Sequence, residues 1–142
     1  MPDWLIRPAG EADLGPITRL LQQGIDRCYS SWATPLVYRY YLAYHAPQQV
    51  RARWQDGVLL VLEEAGHILA TASLLGNYAT GIMVDPQQQG RGMGGALLDR
   101  LIQLARAKGF ETLQLDAVPG TEAYYLARGF ISFGERWMHV PG

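Results

Sequence analysis

The apolar positions change period along the chain, and each change marks an element. Residues 4–7, WLIR, form a short apolar strand that stops at Pro8. Beyond it, Leu14, Ile17, Leu20, Leu21 and Ile25 recur at helical spacing, with Asp13 as the expected cap. The segment CYSSWATPLVYRYYLAYH, residues 28–45, follows neither period; it is crowded with Tyr29, Trp32, Tyr38, Tyr40, Tyr41 and Tyr44. A second helix, opened by Pro47, covers residues 47–54. The texture then becomes β. Residues 58–63 and 67–75 read as two strands joined by a tight turn at Ala65-Gly66, and 78–84 as a third. After a glycine-rich loop, Leu97, Leu98, Leu101, Ile102 and Ala105 mark one apolar helical face, closed by Lys108 and Gly109. Residues 111–118, ETLQLDAV, read as a strand and 121–128 as a short helix ending at Gly129. FISF and RWMHV read as two closing strands turning at Gly134-Glu135. This order predicts one α/β (α+β) domain over residues 1–142, with a mixed, mostly antiparallel central sheet flanked by helices.

Composition narrows the function. With 49 % apolar residues the chain is too hydrophobic to be disordered. A net charge of −1 argues against a general nucleic-acid binder, while leaving room for a basic rim around an anionic ligand. No apolar run approaches the roughly 20 residues needed to span a bilayer. The first residues lack the basic and apolar regions of a signal peptide. Cys28 is the only cysteine, so no intrachain disulfide forms and the cytoplasm is the expected compartment. A small, partly buried side chain suits Cys28 better than a catalytic thiol does. No His, Cys or Asp spacing supports a metal site.

The chemistry concentrates in DPQQQGRGMGGALLDRL, residues 85–101, where Gly90, Gly92, Gly94 and Gly95 precede a helix. Successive N–H groups in such a turn make a donor nest for phosphate. A nucleotide-hydrolysing P-loop needs Lys-Ser or Lys-Thr after its last glycine; here Ala96 and Leu97 follow. A dinucleotide fingerprint is formally matched by residues 90–95, with Asp116 where a ribose-binding carboxylate would stand. Against it, residues 85–89 separate strand from glycines, and too few residues follow for a dinucleotide domain. The third reading is a pyrophosphate loop of the acyl-CoA type, because residues 89–94 match Q/R-x-x-G-x-G/A.

This loop, the strand end IMVDP before it and the helix after it resemble the Gcn5-related N-acetyltransferase (GNAT) family. AYYLARGF, residues 123–130, resembles the closing A-x-x-x-Y-x-x-x-G-F segment of that family, and the likeness runs from about residue 58 to 140. The resemblance implies a GNAT-like fold and direct transfer of an acetyl group from acetyl-CoA, the cosubstrate, to a primary amine of a small molecule or peptide. The alternative is a non-catalytic acyl-CoA-binding or regulatory domain of the same fold. The resemblance further implies that the strand before the loop splays from its neighbour at a bulge. The backbone of Ile82, Met83 and Val84 would pair with pantetheine there, and the N–H groups of Gln89, Gly90, Arg91, Gly92, Met93, Gly94 and Gly95 would hold the pyrophosphate, Arg91 adding charge. Tyr125 matches the family tyrosine, a general acid for the leaving thiolate. Asp116 stands where ribosomal-protein N-terminal acetyltransferases carry a glutamate, and is the candidate base. Tyr124 and Phe130 are expected to be packing residues. Glu63, Glu64 and His67 are expected in solvent at the strand turn.

Specificity in this fold is usually built by the N-terminal helices. Tyr29, Trp32, Tyr38 and Tyr41 are therefore expected to form an aromatic wall able to hold an amine against its rings, with Tyr29 and Trp32 the candidate acceptor-binding residues. No nucleic acid, membrane or metal is expected as a partner, and pairing of exposed C-terminal strands into a homodimer fits the family pattern.

Overall fold

The structure, a computed structural model, describes residues 3–134. Strands β1 (Leu5–Pro8), β2 (Val58–Glu64), β3 (His67–Leu75) and β4 (Tyr78–Val84) form one antiparallel sheet in the order β1-β2-β3-β4. Helices α1 (Leu14–Cys28), α2 (Pro35–Tyr44) and α3 (Pro47–Asp56) precede β2; α4 (Met93–Ala107) and α5 (Glu122–Ala127) follow β4.

The VLLVL run of β2 has no polar gaps because both of its faces are covered. Leu59 and Val61 join Ile17, Leu21 and Ile25 of α1 and Val50 of α3 in one cluster. Leu60 and Leu62 meet Ala70, Ala72 and Leu74 of β3 and Leu97 and Leu101 of α4 in another. Each such Leu or Ile contributes about 1.5–3 kcal/mol relative to its exposed state, so these two clusters fix the sheet between its helical layers. The β2–β3 hairpin closes at Ala65 and Gly66, with φ of 52° and 80°, the two positive values that a two-residue turn of matching twist requires.

Several expectations are revised. Asp13 does not cap α1 with its side chain. Its carboxylate accepts from the Gly10 N–H at 2.7 Å and from Arg7 at 2.7 and 3.1 Å, and Arg7 also donates to Glu63 at 2.9 Å. The arginine thus ties β1, β2 and the start of α1 together, and it holds the Asp13 carboxyl below its ordinary range. Within residues 28–45 a helix forms that the aromatic pattern hid. Thr34 Oγ1 accepts from the Val37 N–H at 3.3 Å and Pro35 occupies the first turn, an ordinary helix start. None of the α2 residues is fully buried, so no apolar stripe announces it.

Residues 111–118 do not form the expected strand. A single parallel bridge, Tyr78 with Gln114, is made by Ala79 N–H to Gln114 O and Gln114 N–H to Asn77 O, both 2.8 Å. Beyond it, β4 carries a bulge opposite β3 between Thr71 and Ser73, and no further ladder forms on its outer edge among the described residues. A cleft opens there instead. FISF likewise lacks a partner strand among the described residues, and Ile131 and Phe133 are 82 % and 81 % exposed. RWMHV lies outside the described residues.

Candidate active site

The cleft is bounded by the bulged half of β4, by residues 115–118, by α2 and by Tyr125 on α5, and its volume is about 140 Å³. β4 alternates here: Ile82 and Val84 pack toward α4, and Met83 packs under α1. Gly24 of α1 allows that approach, since a Cβ on it would lie 2.2 Å from Met83 Sδ. The side chains of Ile82, Met83 and Val84 therefore anchor the strand, and the backbone is what the outer edge offers. Among the described residues that edge is paired only at the Tyr78–Gln114 bridge.

At the end of β4, Asp85 builds the start of the loop: its Oδ1 accepts from the Gln87 N–H at 2.9 Å. Gly90 and Gly92 have φ of 88° and 84°, values that an L side chain adopts only under strain, and a Cβ at either would meet nothing within 4 Å. Gly92 is the left-handed residue from which α4 starts; its carbonyl accepts from the Ala96 N–H at 3.0 Å. The N–H groups of Met93, Gly94 and Gly95 in the first turn make no hydrogen bond to another described residue. They are the unpaired donors of a helix N-terminus, carrying its partial positive charge.

The other loop residues divide by role. Met93 is 1 % exposed and its side chain belongs to the core, so the loop has only its N–H to offer. Gly95 is covered by Arg128, whose Nη1 would stand 2.9 Å from a Cβ there. Arg128 donates to the Gly95 carbonyl at 3.1 Å and to Asp99 at 2.6 Å, docking α5 on α4. Gln89 Nε2 lies 3.6 Å from Cys28 Sγ, tying the loop to the end of α1. Arg91 does not stand free over the loop. It meets Glu64 in a two-pronged pair at 2.7 and 3.1 Å and donates to Gln88 at 2.7 Å. This corrects the expectation for Glu63 and Glu64, each of which engages an arginine; His67 is exposed as expected.

Tyr125 lines the cleft, with Phe130 packed edge-on against its ring at 5.6 Å. Burial pushes its phenol pKa up, so it stays protonated. Tyr124 is not a core residue: it is 45 % exposed and stacks under the Arg128 guanidinium at 5.5 Å. Asp116, exposed, lines the same cleft from the opposite segment. Tyr29 reaches the cleft and is 9 % exposed, and burial pushes its pKa up to about 12. Trp32 does not line the cleft; it packs behind, 5.1 Å from Tyr29 and 6.0 Å from Tyr41.

Tyr41, expected in the aromatic wall, lines the cleft; sequence reasoning missed the rest of the wall built by the end of α2. Tyr40, Tyr44 and His45 line the cleft, and the Tyr44 hydroxyl lies 3.2 Å from Thr80 Oγ1 on the bulge. The Thr34-Pro35 helix start was the available signal, since a helix beginning there puts Tyr40 and Tyr44 one turn apart. His45, at the edge of this wall, and Arg53 behind it are each 4 % exposed. Arg53 donates to His45 Nδ1 at 2.9 Å and to the Tyr44 carbonyl at 2.5 Å, so it caps the C-terminus of α2. Gly81, with φ of 64°, makes room: a Cβ there would be 3.1 Å from Arg53 Nη1.

Burial, with the Arg53 charge adding to it, lowers the His45 pKa to about 3. The unfolded imidazole titrates near 6.5, so between these values the unfolded chain binds the extra proton and stability is lost as pH falls. The slope rises from half of about 1.4 kcal/mol per pH unit at pH 6.5 toward the full value, which predicts a loss of about 1.6 kcal/mol between pH 6.5 and 5 from this residue. Urea unfolding at the two pH values should show that loss in wild type and a smaller one in His45→Gln, whose amide oxygen can still accept from Arg53.

No group of three or more His, Cys, Asp or Glu among the described residues is placed to hold a metal ion. No helix among them is long and apolar enough to cross a membrane. Comparison with known proteins places the site in context. The model of the acetyltransferase (GNAT) family matches residues 18–130. A curated rice (Oryza sativa subsp. japonica) relative, "Probable glucosamine 6-phosphate N-acetyltransferase 2", is 33 % identical over 94 residues, 56 % of this chain and 57 % of the relative. The chain thus spans little more than half the length of that relative. Among solved structures, a GCN5-related N-acetyltransferase from Rhodopseudomonas palustris superimposes with a TM-score of 0.85 at 23 % identity, over 94 % of this chain and 85 % of that one. PaiA N-acetyltransferase from Thermoplasma acidophilum, solved in complex with coenzyme A, gives 0.71 at 12 % identity, over 91 % and 87 %. Both likenesses show the fold.

Proposed function

Since the chain belongs to the acetyltransferase (GNAT) family, we propose that it transfers the acetyl group of acetyl-CoA to a primary amine of a small molecule or peptide. The observation that carries this reading is a meeting of two unsatisfied surfaces. Beyond the Tyr78–Gln114 bridge the outer edge of β4, open among the described residues, runs into a loop whose next N–H groups, those of Met93, Gly94 and Gly95, pair with no described residue. An extended, amide-bearing chain that ends in a pyrophosphate satisfies both at once. Acetyl-CoA has that shape, and it supplies a thioester carbonyl for attack.

In this reading the backbone of Ile82, Met83 and Val84 holds pantetheine by strand-like pairing. The N–H groups of residues 89–95 hold the pyrophosphate, with Gly90 and Gly92 leaving the approach clear. A backbone N–H at the bulge takes the charge that develops on the carbonyl oxygen. Asp116, directly or through a water, removes the proton of the attacking ammonium, and Tyr125 donates its phenolic proton to the departing sulfur. The C–N bond forms as the C–S bond breaks; the acylated nitrogen then loses its second proton to the Tyr125 phenolate, which leaves a neutral amide, a thiol and a restored phenol, and Asp116 passes its proton to solvent. A protonated Tyr125 suits the acid role, because burial raises its pKa. Arg91 contributes to phosphate binding only by leaving Glu64, which lowers its net effect.

The test is a calorimetric titration with acetyl-CoA and CoA, followed by release of free thiol in the presence of a panel of amines. Micromolar binding and amine-dependent thiol release are expected. A folded protein that binds neither species would overturn the reading. Binding without turnover for any amine would support the non-catalytic alternative.

A further inference from the structure

His45 is a buried polar side chain that the mechanism leaves unused. It lines the cleft while only 4 % exposed. Arg53 Nη1 lies 2.9 Å from its Nδ1. A guanidinium can only donate, so Nδ1 is the accepting nitrogen and the ring proton sits on Nε2. Among the described residues no hydrogen bond reaches Nε2. The ring stands at the bulge of β4. Met83 pairs with Thr71 and Thr80 with Ser73, which leaves Gly81 and Ile82 on β4 opposite the one residue Ala72 on β3. A Cβ on Gly81 would lie 3.7 Å from His45 Cε1, the ring carbon next to Nε2. From this placement we infer that the His45 Nε2–H is a second hydrogen-bond donor to the thioester carbonyl oxygen, beside the backbone N–H at the bulge, and so a catalytic residue for acetyl transfer. The inference rests on the acetyltransferase reading and adds a residue to it.

A donor held in place by the fold stabilises developing charge without reorganising in the transition state. His45 is held in this way. Arg53 fixes its Nδ1 and also donates to the Tyr44 carbonyl at 2.5 Å, which ties the ring to the end of α2. Tyr44 meets the imidazole edge-on at 5.0 Å, and its hydroxyl, 3.2 Å from Thr80 Oγ1, joins the same helix end to the bulge. The Arg53 charge draws electron density from the ring, which strengthens Nε2–H as a donor, and with burial it keeps the ring neutral. A neutral N–H costs less to bury than an imidazolium and still meets the oxygen as it gains charge. The rival role for a cleft histidine is general base, and the tautomer excludes it. The Nδ1 lone pair is taken by Arg53 and Nε2 already carries its proton, so the ammonium proton is left to Asp116 or water.

The experiment compares wild type with His45→Asn. The Asn amide oxygen falls where Nδ1 stands and can accept from Arg53, while the shorter side chain stops short of Nε2. Two quantities are read: the infrared band of bound acetyl-CoA isotope-labelled at its acetyl carbonyl, and kcat with the amine of the panel that is turned over fastest. On binding to wild type the carbonyl band should move to lower frequency, and His45→Asn should give back part of that shift. kcat should fall about 10²-fold, the usual loss for one oxyanion donor, while the Kd for acetyl-CoA stays within about 3-fold. If the Asn protein does not fold, the double variant His45→Phe, Arg53→Met removes the imidazole together with its buried cation and is read in the same two ways. A carbonyl band that is the same in wild type and a folded variant, or a kcat within about 3-fold, would overturn this inference and leave the acetyltransferase reading standing. Absence of acetyl-CoA binding in wild type would remove both.

Discussion

Gly92→Glu should weaken acetyl-CoA binding by at least about 100-fold, equivalent to about 2.7 kcal/mol. Two effects add. Gly92 has φ of 84°, and an L side chain there costs about 1–2 kcal/mol, so the loop is driven away from the shape that aims the Met93, Gly94 and Gly95 N–H groups outward. The new carboxylate also brings negative charge to the helix N-terminus proposed to receive the pyrophosphate, competing for its donors and repelling the ligand. The fold should survive, because a Cβ at this position meets nothing within 4 Å. Gly92→Ala separates the two effects: it keeps the strain and lacks the charge, and should cost about 10-fold. Calorimetry with acetyl-CoA measures both, and circular dichroism confirms that the variants are folded. Wild-type affinity in a folded Gly92→Glu protein would place the pyrophosphate elsewhere.

Tyr125→Phe should lower kcat by about 10²–10³-fold, the usual yield of a positioned general acid. The KM for acetyl-CoA should stay within about 3-fold, because the ring is kept and its edge contacts with Phe130 and Tyr124 need no hydroxyl. The removed group acts only as sulfur leaves, so its loss falls on kcat and kcat/KM together. The pH profile supplies a second check. With the phenol pKa raised, wild-type kcat should not fall on the alkaline side until pH passes the ordinary phenol value of about 10. A kcat within 3-fold of wild type would reduce Tyr125 to a wall residue and leave protonation of the thiolate to solvent.

The outcome at each element follows from what a local pattern can encode. The β2–β3 hairpin was legible because Ala65-Gly66 supplies a turn between two short, continuous apolar runs, and α4 because its apolar stripe is regular. The glycine loop was legible because left-handed φ at Gly90 and Gly92 demands glycine, and that demand is local. The segment 111–118 was misread because its alternation is that of a strand. Whether a strand pairs depends on its neighbour, and the bulge in β4 withdraws that neighbour after one bridge. Tyr124 and Trp32 were misassigned for a related reason. Adjacent aromatics carry no mark of which one faces a cleft, and only the pose of α5 on α4 and of α2 on α1 decides it.

The sequence by itself therefore determined the order of β1 to β4 and of α1, α3, α4 and α5, the sheet-and-helix class, and the glycine turn that opens α4. Each depends on the conformational preference or periodicity of a few adjacent residues. The tertiary structure alone decided the cleft: that β4 parts from residues 115–118, that Tyr40 and Tyr44 rather than Trp32 form its wall, and that Arg53 is tied to His45 behind it. These are relations between residues far apart in the chain. They are set by how helices and strands pack to bury both faces of one sheet, and no local pattern records that.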